Sequence, residues 1–122
     1  MTASGTIYKG QAVCLCAGMD DTVYVPGAEG SGMRVFGIAD YTATHGEKIA
    51  IWGPYNICRC RLSGVAGAAV TAGTGVGMSW DGMLGVYSAT APRYSGAIVL
   101  DGGVANGGEG IVLLTGPYGY QK

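Results

Sequence analysis

The stretch Val76-Gly-Met-Ser-Trp-Asp-Gly-Met-Leu-Gly-Val-Tyr87 gives the clearest prediction of the fold. Asp81-Gly82 stands between two short apolar runs. An Asp-Gly pair favours the type I′ turn of a two-residue β-hairpin, because both central residues need a positive φ. In that register Met78 would lie opposite Gly85, and both would lie on one face of the hairpin. The stretch therefore predicts two antiparallel strands joined by a tight turn.

The rest of the chain repeats this pattern. Short runs rich in Val, Ile, Tyr and Trp alternate with Gly, Pro, Asp and Asn, which is typical of all-β proteins. Glycine accounts for 24 of the 122 residues, and no ten-residue stretch free of Gly and Pro has the apolar spacing of a helix. We therefore predict one all-β domain over residues 1–122. The predicted strands are Gln11–Cys16, Thr22–Val25, Arg34–Ala39, Lys48–Trp52, Asn56–Ser63, Ala68–Thr71, Thr74–Trp80, Met83–Ser88, Ser95–Leu100 and Gly110–Thr115.

A weak internal repeat links the two halves of the chain. Three blocks recur in the same order, about sixty residues apart. They are Gly10-Gln-Ala-Val13 with Gly67-Ala-Ala-Val70, Phe36-Gly-Ile-Ala39 with Ser95-Gly-Ala-Ile98, and Gly46-Glu-Lys-Ile-Ala-Ile51 with Gly108-Glu-Gly-Ile-Val-Leu113. The repeat predicts two weakly similar halves packed into a small Gly-rich β-barrel or sandwich. Chance similarity between Gly-rich strands is the alternative.

Both ends of the chain are predicted to be flexible arms. Residues 1–6 are small and polar, and residues 116–122 combine turn residues with two aromatic side chains. Such tails often stay disordered until they bind a partner, although they can also be merely frayed ends. The candidate partner-binding residues in these arms are Thr2, Ser4, Tyr118 and Tyr120.

The charge balance excludes several classes of function. Seven Lys and Arg stand against eight Asp and Glu, and charged residues make up 12% of the chain. A nucleic-acid binder driven by charge would show a basic excess. The longest uncharged stretch, residues 62–80, is too rich in Gly to predict a membrane helix, and the first residues do not resemble a secretion signal. We therefore expect no nucleic-acid or membrane partner, and a charge-poor surface that is partly covered in an assembly.

Two Cys-x-Cys pairs are candidates for metal binding. Residues i and i+2 of a strand share a face, so Cys14 and Cys16 would point the same way, as would Cys58 and Cys60. If their strands were neighbours, the four sulfurs could hold zinc or an iron–sulfur cluster. Cross-strand disulfides are a second possibility, and burial as small apolar side chains is a third.

Arginines alternate with the second cysteine pair. Arg59 and Arg61 would form a basic face opposite the face of Cys58 and Cys60. We name both arginines as candidate contacts to an acidic partner surface or a phosphate. A solvated face with local ion pairs is the alternative interpretation.

The sequence offers no set of catalytic residues. The one histidine, His45, lies in a predicted turn, and the chain has no Gly-x-Ser-x-Gly motif. Gly27–Gly32 and Gly73–Gly77 lack the Lys-Ser/Thr pair and the following helix of a phosphate-binding loop. We therefore predict a protein that is not an enzyme and needs no cofactor.

The second half of the chain resembles a known family. The residues that carry the resemblance are Ser63-Gly-Val-Ala-Gly-Ala-Ala-Val-Thr-Ala-Gly-Thr-Gly-Val-Gly77, Asp81-Gly-Met-Leu-Gly85, Gly96-Ala-Ile-Val-Leu-Asp101 and Gly107-Gly-Glu-Gly-Ile-Val-Leu-Leu114. Their order resembles the small capsid decoration (cement) proteins of tailed bacteriophages. The blocks at Gly10, Phe36 and Gly46 are similar to the opening of that family. The Cys-x-Cys pairs, Arg59 and Arg61 are not part of the family pattern.

The resemblance implies a β-rich homotrimer that is made in the host cytoplasm and lies on the outer surface of the virion. Such a protein would sit on local three-fold axes and stabilise the shell by bridging subunits of the major capsid protein. It would have no catalytic residues. Two other functions remain open from the residues alone, namely a metal-binding or redox module built on the four cysteines, and a structural domain associated with a phage tail or fibre.

Overall fold

A computed structural model describes residues 1–16, 18–25, 35–63, 72–73, 75–78, 83–85, 96–102 and 108–115. All regular structure in these residues is β, which confirms the predicted fold class. The strands are β1 (Thr2–Ser4), β2 (Ala12–Leu15), β3 (Thr22–Tyr24), β4 (Gly37–Ala39), β5 (Ile51–Trp52), β6 (Ile57–Ser63), β7 (Gly75–Met78), β8 (Leu84–Gly85), β9 (Ala97–Asp101) and β10 (Glu109–Leu114). Within the described ranges, no helix is long and apolar enough to cross a membrane.

The strands form two units that follow each other along the chain. The first half is a five-stranded sheet in the order β1-β3-β2-β4-β5. The second half is a five-stranded closed barrel in the order β10-β6-β8-β7-β9. In both halves the first strand pairs in parallel with the third, whereas the second pairs antiparallel with the third and the fourth. The fourth strand then pairs antiparallel with the fifth in both halves.

The second half therefore repeats the topology of the first, and the predicted internal repeat is confirmed at the level of strand pairing. The barrel closes where β10 pairs antiparallel with β6. The first half has a shorter version of the same contact, with a bridge between Thr2 and Lys48. There the backbone N–H of Ala3 donates to the carbonyl of Glu47 at 2.9 Å.

Two of the three predicted repeat blocks occupy equivalent places. Ala39 lies opposite Ile51 on the neighbouring strand, and Ile98 lies opposite Leu113 in the same way. The remaining block, which begins at Gly10, is aligned wrongly in the sequence prediction. Ala12 lies opposite Ile38 as Val76 lies opposite Ala97, so the counterpart of Ala12 is Val76 and not Ala69. Strands made of Gly, Ala and Val are too alike for sequence to align them, whereas hydrogen-bond register distinguishes them.

The register of the β7–β8 pair also differs from the prediction. Met78 lies opposite Leu84 rather than Gly85, which is a shift of one residue. Because side chains alternate, the shift places Leu84 on the face of Val76, and both side chains are fully buried. Burying a leucine instead of a glycine is worth about 2 kcal/mol, which explains the choice of register. The predicted Asp81-Gly82 turn and the predicted strand Ala68–Thr71 lie outside the described residues.

Among the residues that the structure describes, two hydrophobic clusters hold the fold together. The first cluster lies within the first half, and the second joins both halves. Strands β2 and β4 belong to both clusters, because their alternate residues point to opposite sides. The first cluster contains Ala3, Ile7, Val13, Val23, Ala39, Ala43 and Ile49. The second contains Ala12, Cys14, Val35, Ile38, Cys58, Cys60, Leu62, Val76, Leu84, Ala97, Val99, Val112 and Leu114.

Close backbone contacts also join the halves. The N–H of Arg61 donates to the carbonyl of Gly10 at 3.0 Å. Gly96 lies so close to Val35 that a Cβ atom on the glycine would stand 2.6 Å from the valine Cβ. A side chain at position 96 would therefore push the halves apart, and glycine is required there by space rather than by φ.

The predicted N-terminal arm is wrong. Residues Thr2–Ser4 form β1, which pairs with β3, and Ala3 is buried. A small, polar segment without turn residues can still be ordered when its backbone completes a sheet, because each strand residue gains hydrogen bonds. Composition alone does not reveal that contact. The predicted C-terminal arm, residues 116–122, lies outside the described residues.

Candidate partner-binding surface

A groove runs along the junction between the two halves. Its volume is about 590 Å³. The first half supplies one wall, and residues of β6 and β10 supply the other. The groove is lined by Lys9, Gly10, Ala39, Asp40, Trp52, Ile57, Cys58, Arg59, Glu109 and Ile111.

The described lining of the groove combines charges of both signs with one aromatic ring. The indole N–H of Trp52 donates to Oδ1 of Asp40 at 3.0 Å, and this bond fixes the ring while 41% of the residue stays exposed. Among the described residues, no ion pair involves Lys9, Arg59 or Glu109. Exposed cations and anions beside an anchored indole suit a polypeptide segment, which offers both charged and apolar groups.

The groove opens onto an exposed apolar face of the barrel. We call it the outer face and define it by seven of the outward side chains of β6, β10 and β9. Its members are Ile57, Arg59, Ile98, Leu100, Asp101, Ile111 and Leu113.

Register arranges the outer face in rows. One row crosses three adjacent strands as Ile57, Leu113 and Ile98, each directly opposite the next. Ile57 is 63% exposed, Ile98 37% and Leu100 44%. Large apolar side chains in neighbouring positions form a contiguous patch, and such patches mark interaction sites more often than scattered single residues do.

The two predicted arginine contacts have different environments. The alternation along β6 is confirmed, since Cys58 and Cys60 are buried while Arg59 is exposed. Arg59 lies in both the groove and the outer face. Arg61 is half-buried, and its side chain runs beside Gly10, with 3.6 Å between its Cγ and the place of a glycine Cβ. Arg61 thus contributes to the contact between the halves, and the structure does not bring it into the groove.

The other predicted contacts do not join this surface. Thr2 and Ser4 are half-buried in β1, where the backbone N–H of Thr2 donates to the carbonyl of Asp21 at 2.8 Å. Their role as contacts in a free arm is therefore not supported. Tyr118 and Tyr120 lie outside the described residues.

The four cysteines carry free thiols. Cys14 lies on β2 and Cys16 directly follows it, whereas Cys58 and Cys60 lie on β6 in the other half. Strands β2 and β6 are not paired neighbours, so the adjacency that a four-thiolate site requires is not observed. Within the described ranges, no three His, Cys, Asp or Glu side chains come close enough to hold a metal ion.

Burial sets the chemistry of three of these thiols. It raises the pKa of Cys14 to about 12, of Cys58 to about 11 and of Cys60 to about 12. A thiolate is the form that binds metals and attacks disulfides, and an apolar environment disfavours it. Cys16 is half-buried, and its thiol lies 3.5 Å from the sulfur of Met19. The arrangement therefore favours thiols that act as small apolar side chains.

His45 has a structural role in the turn where the sequence predicted it. Its Nδ1 accepts a hydrogen bond from the N–H of Gly5 at 2.9 Å. In the same turn, the carboxylate of Glu47 accepts hydrogen bonds from the side chain and the N–H of Thr44, which lower the pKa of Glu47. The bond from Gly5 ties the 44–47 turn to the N-terminal segment, and the bonds from Thr44 to Glu47 stabilise the turn itself.

Most of this surface leaves no local signal in the sequence. Lys9, Asp40 and Trp52 are far apart in the chain and come together when the first half folds, and the groove forms when they pack beside β6 and β10 of the second half. A signal for the outer face was present in β9, because Ala97–Leu100 is apolar at every position. A strand with one solvated face should alternate with polar residues.

Comparison with known proteins identifies no family for this chain. No protein-family model matches the chain, and a search of curated proteins finds no significant match.

Proposed function

We propose that the chain is a non-enzymatic structural protein of a viral particle, which decorates the head shell and bridges subunits of the major capsid protein. The observation that supports this most directly is the continuous surface made by the groove and the outer face. It leaves Trp52, Ile57 and Ile98 exposed on a chain in which only 12% of residues are charged. A protein with such a surface is suited to an assembly.

The chemistry of the surface fits a binding role. Its polar groups, Lys9, Asp40, Arg59 and Glu109, are exposed, and the groove mixes them with aliphatic and aromatic walls. A repetitive shell offers many identical contact points. Many copies that each make modest contacts can therefore stabilise it through multivalency. The resemblance to cement proteins points to the same function and implies a trimer on the shell.

Two other functions have less support. The metal-binding or redox module needs thiolates, yet burial disfavours the thiolate form at Cys14, Cys58 and Cys60. The tail- or fibre-associated domain needs the same kind of surface as a cement protein. The two structural functions therefore differ in their partner, and the experiment must identify that partner.

Co-sedimentation tests the proposal. The purified chain is mixed with empty shells assembled from the major capsid protein encoded in the same genome, and separately with tails from the same phage. We expect the chain to pellet with shells in a saturable, stoichiometric amount. Pelleting with tails alone, or with neither, would overturn the decoration function.

Variants of the groove define the contact. Trp52→Ala and Lys9→Glu should each weaken shell binding roughly ten-fold or more, because truncated aromatic and charged anchors dominate interface energies. Tyr41→Ala is the matched control, since Tyr41 is 44% exposed and does not line the groove. Equal binding by Trp52→Ala and Tyr41→Ala would remove the groove from the proposal.

A further inference from the structure

Strand β6 has an open edge in the groove. Along an antiparallel pair, the backbone groups of one residue point to the partner strand and those of the next residue point to the opposite side. The N–H of Leu62 donates to the carbonyl of Gly108 at 2.9 Å, so the even-numbered residues of β6 bond towards β10. The N–H of Arg61 donates to the carbonyl of Gly10 at 3.0 Å, so the odd-numbered residues point towards the first half.

The odd-numbered residues Ile57 and Arg59 therefore direct their backbone groups away from β10. Among the described residues, β8 pairs with β6 only at Leu62 and Ser63, and no backbone hydrogen bond reaches the N–H or the carbonyl of Ile57 or Arg59. Both residues line the groove. The groove thus contains an open strand edge, in which these two residues lie about 7 Å apart.

An open strand edge is a template for a further strand. Its unpaired N–H and C=O groups can bond an extended polypeptide, which is the basis of recognition by strand addition. The groove has a volume of about 590 Å³, which lies within the roughly 300–1,000 Å³ of binding pockets. Gly10 already occupies the neighbouring place along this edge through its bond with Arg61. A strand added beside Ile57 and Arg59 would continue that line of pairing.

The side chains around the edge favour an acidic residue in the partner. Lys9 and Arg59 both line the groove, and among the described residues neither makes an ion pair. The carboxylates that line the groove have neighbours of their own. Asp40 accepts a hydrogen bond from an indole N–H, and Glu109 lies directly opposite Arg61. A partner carboxylate would therefore complement the two cations.

Strand pairing determines where that acidic residue lies. A residue that pairs with Arg59 places its side chain on the same face, about 5 Å from that of Arg59. Two residues further along, the next paired residue lies beside Ile57, which is 63% exposed. An apolar side chain at that position would cover the isoleucine. The edge thus fits an extended segment in which an acidic and an apolar residue are two positions apart.

We propose that an extended segment of the major capsid protein adds as a strand to the edge of β6 at Ile57 and Arg59, with an acidic side chain beside Arg59 and an apolar side chain two residues away, beside Ile57. This inference rests on the proposed function for the identity of the partner, and it adds how the partner is bound. Backbone hydrogen bonds supply affinity in this mode of binding, and the alternate side chains supply specificity.

Amide hydrogen exchange in the free chain tests the open edge. We expect the N–H groups of Ile57 and Arg59 to exchange at least about 100-fold faster than those of Cys58 and Cys60, which bond towards β10. Residue-resolved NMR of the ¹⁵N-labelled protein measures all four rates. Equal protection of the four groups would show that the edge is already paired and would overturn the proposal.

Overlapping synthetic peptides that cover the major capsid protein test the added strand. The peptide that binds should contain an acidic and an apolar residue two positions apart. It should slow exchange at Ile57 and Arg59 at least about ten-fold and leave Cys58 and Cys60 unchanged.

Backbone N-methylation of the binding peptide removes its N–H groups one at a time. Methylation should weaken binding about ten-fold or more at the positions whose N–H faces β6, and it should have little effect at the intervening positions. Binding without this period of two, or no binding by any peptide, would contradict strand addition.

A charge exchange tests the acidic contact. Arg59→Glu should weaken binding of the peptide about ten-fold or more, and replacing the acidic residue of the peptide with lysine should restore it. Lys48→Glu reverses a charge at an exposed residue that does not line the groove, and this variant should bind like the wild type. Equal binding by the two variants would contradict the acidic contact.

Two variants at the start of β6 extend the test to intact shells. Ile57→Pro removes the N–H that faces the groove and keeps the bonds towards β10, and proline is tolerated as the first residue of a strand. Ile57→Ala removes the same side chain and keeps the N–H. We expect Ile57→Pro to bind shells about ten-fold more weakly than Ile57→Ala. If the proline variant does not fold, the N-methylated peptides decide the question.

The outcomes separate this proposal from the proposed function. If the wild type pellets with shells and the two Ile57 variants bind equally, strand addition is overturned and the decoration function stands. If the wild type does not pellet with shells, both proposals are overturned.

Discussion

Ile98 occupies the position in the second half that Ala39 occupies in the first, yet Ile98 is 37% exposed and Ala39 is 2% exposed. Each lies opposite the corresponding residue of the last strand, Ile51 for Ala39 and Leu113 for Ile98. In the first half, Ile7 and Ala43 pack in the same cluster as Ala39. The same backbone arrangement thus serves as a core in one half and as a surface in the other.

This relationship predicts unequal effects of one substitution at the two positions. Ala39→Asp should lower the free energy of unfolding by about 3 kcal/mol or more, because it buries an unpaired carboxylate. Ile98→Asp should cost less than about 1 kcal/mol, because the new carboxylate stays hydrated. Urea unfolding at a concentration too low for association measures both values. Equal losses would show that the two faces do not differ in burial.

Close approach at Gly37 predicts a strict requirement for glycine. A Cβ atom there would lie 2.3 Å from the carbonyl oxygen of Trp52 and 2.4 Å from Cγ2 of Ile51. Gly37→Ala should therefore force β4 away from β5 and cost about 1–3 kcal/mol. Gly53→Ala is the control, since nothing lies within 4 Å of its Cβ position, and its effect should stay within about 0.5 kcal/mol. Thermal and urea unfolding of both variants would check the difference.

The ordered N-terminal strand predicts that removing residues 1–6 destabilises the fold. The deletion removes β1 from its place beside β3 and uncovers Val23, which is fully buried. It also breaks backbone hydrogen bonds to Glu47 and Ile49, each worth about 1 kcal/mol. The double variant Thr2→Ala/Ser4→Ala keeps that backbone and should unfold near the wild-type urea midpoint. A deletion as stable as the wild type would restore the interpretation of this segment as a free arm.

Buried thiols predict a loss of stability at high pH. The folded state holds the protons of Cys14, Cys58 and Cys60 up to pH 11–12, whereas an unfolded thiol loses its proton near pH 9. Their contribution is constant below pH 9. It declines as the pH rises from 9 towards 11–12, by up to about 1.4 kcal/mol per pH unit for each thiol. Unfolding free energies measured from pH 7 to 11 should fall more steeply for the wild type than for the Cys14→Ala/Cys58→Ala/Cys60→Ala variant.

Alkylation gives a second measure of the same burial. Iodoacetamide at pH 8 should modify Cys16 first, because Cys16 is half-buried while the other three thiols are buried. Mass spectrometry after short exposure would show one added group, located at Cys16. Rapid modification of Cys58 or Cys60 in the folded protein would contradict the burial of β6.

Several features follow from sequence because they depend on local chemistry. The all-β class follows from short β-branched and aromatic runs between Gly, Pro, Asp and Asn. The inward cysteines and outward Arg59 of β6 follow from the two-residue alternation of a strand. The repeat is visible because the blocks that begin at Phe36 and Gly46 keep their glycines in both halves. Glycine suits close strand packing in the first block and a turn in the second.

Tertiary structure decided the rest, because the remaining features depend on contacts between distant residues. The order of Thr2–Ser4 depends on a free edge beside Thr22, and the β7–β8 register depends on where Leu84 can be buried. The groove exists only because Lys9 and Trp52 pack beside Arg59. Equivalent strands in the two halves have similar sequences and the same pairing. Whether a given face becomes core or surface was settled by what packs against it, and a strand's own sequence does not encode its neighbours.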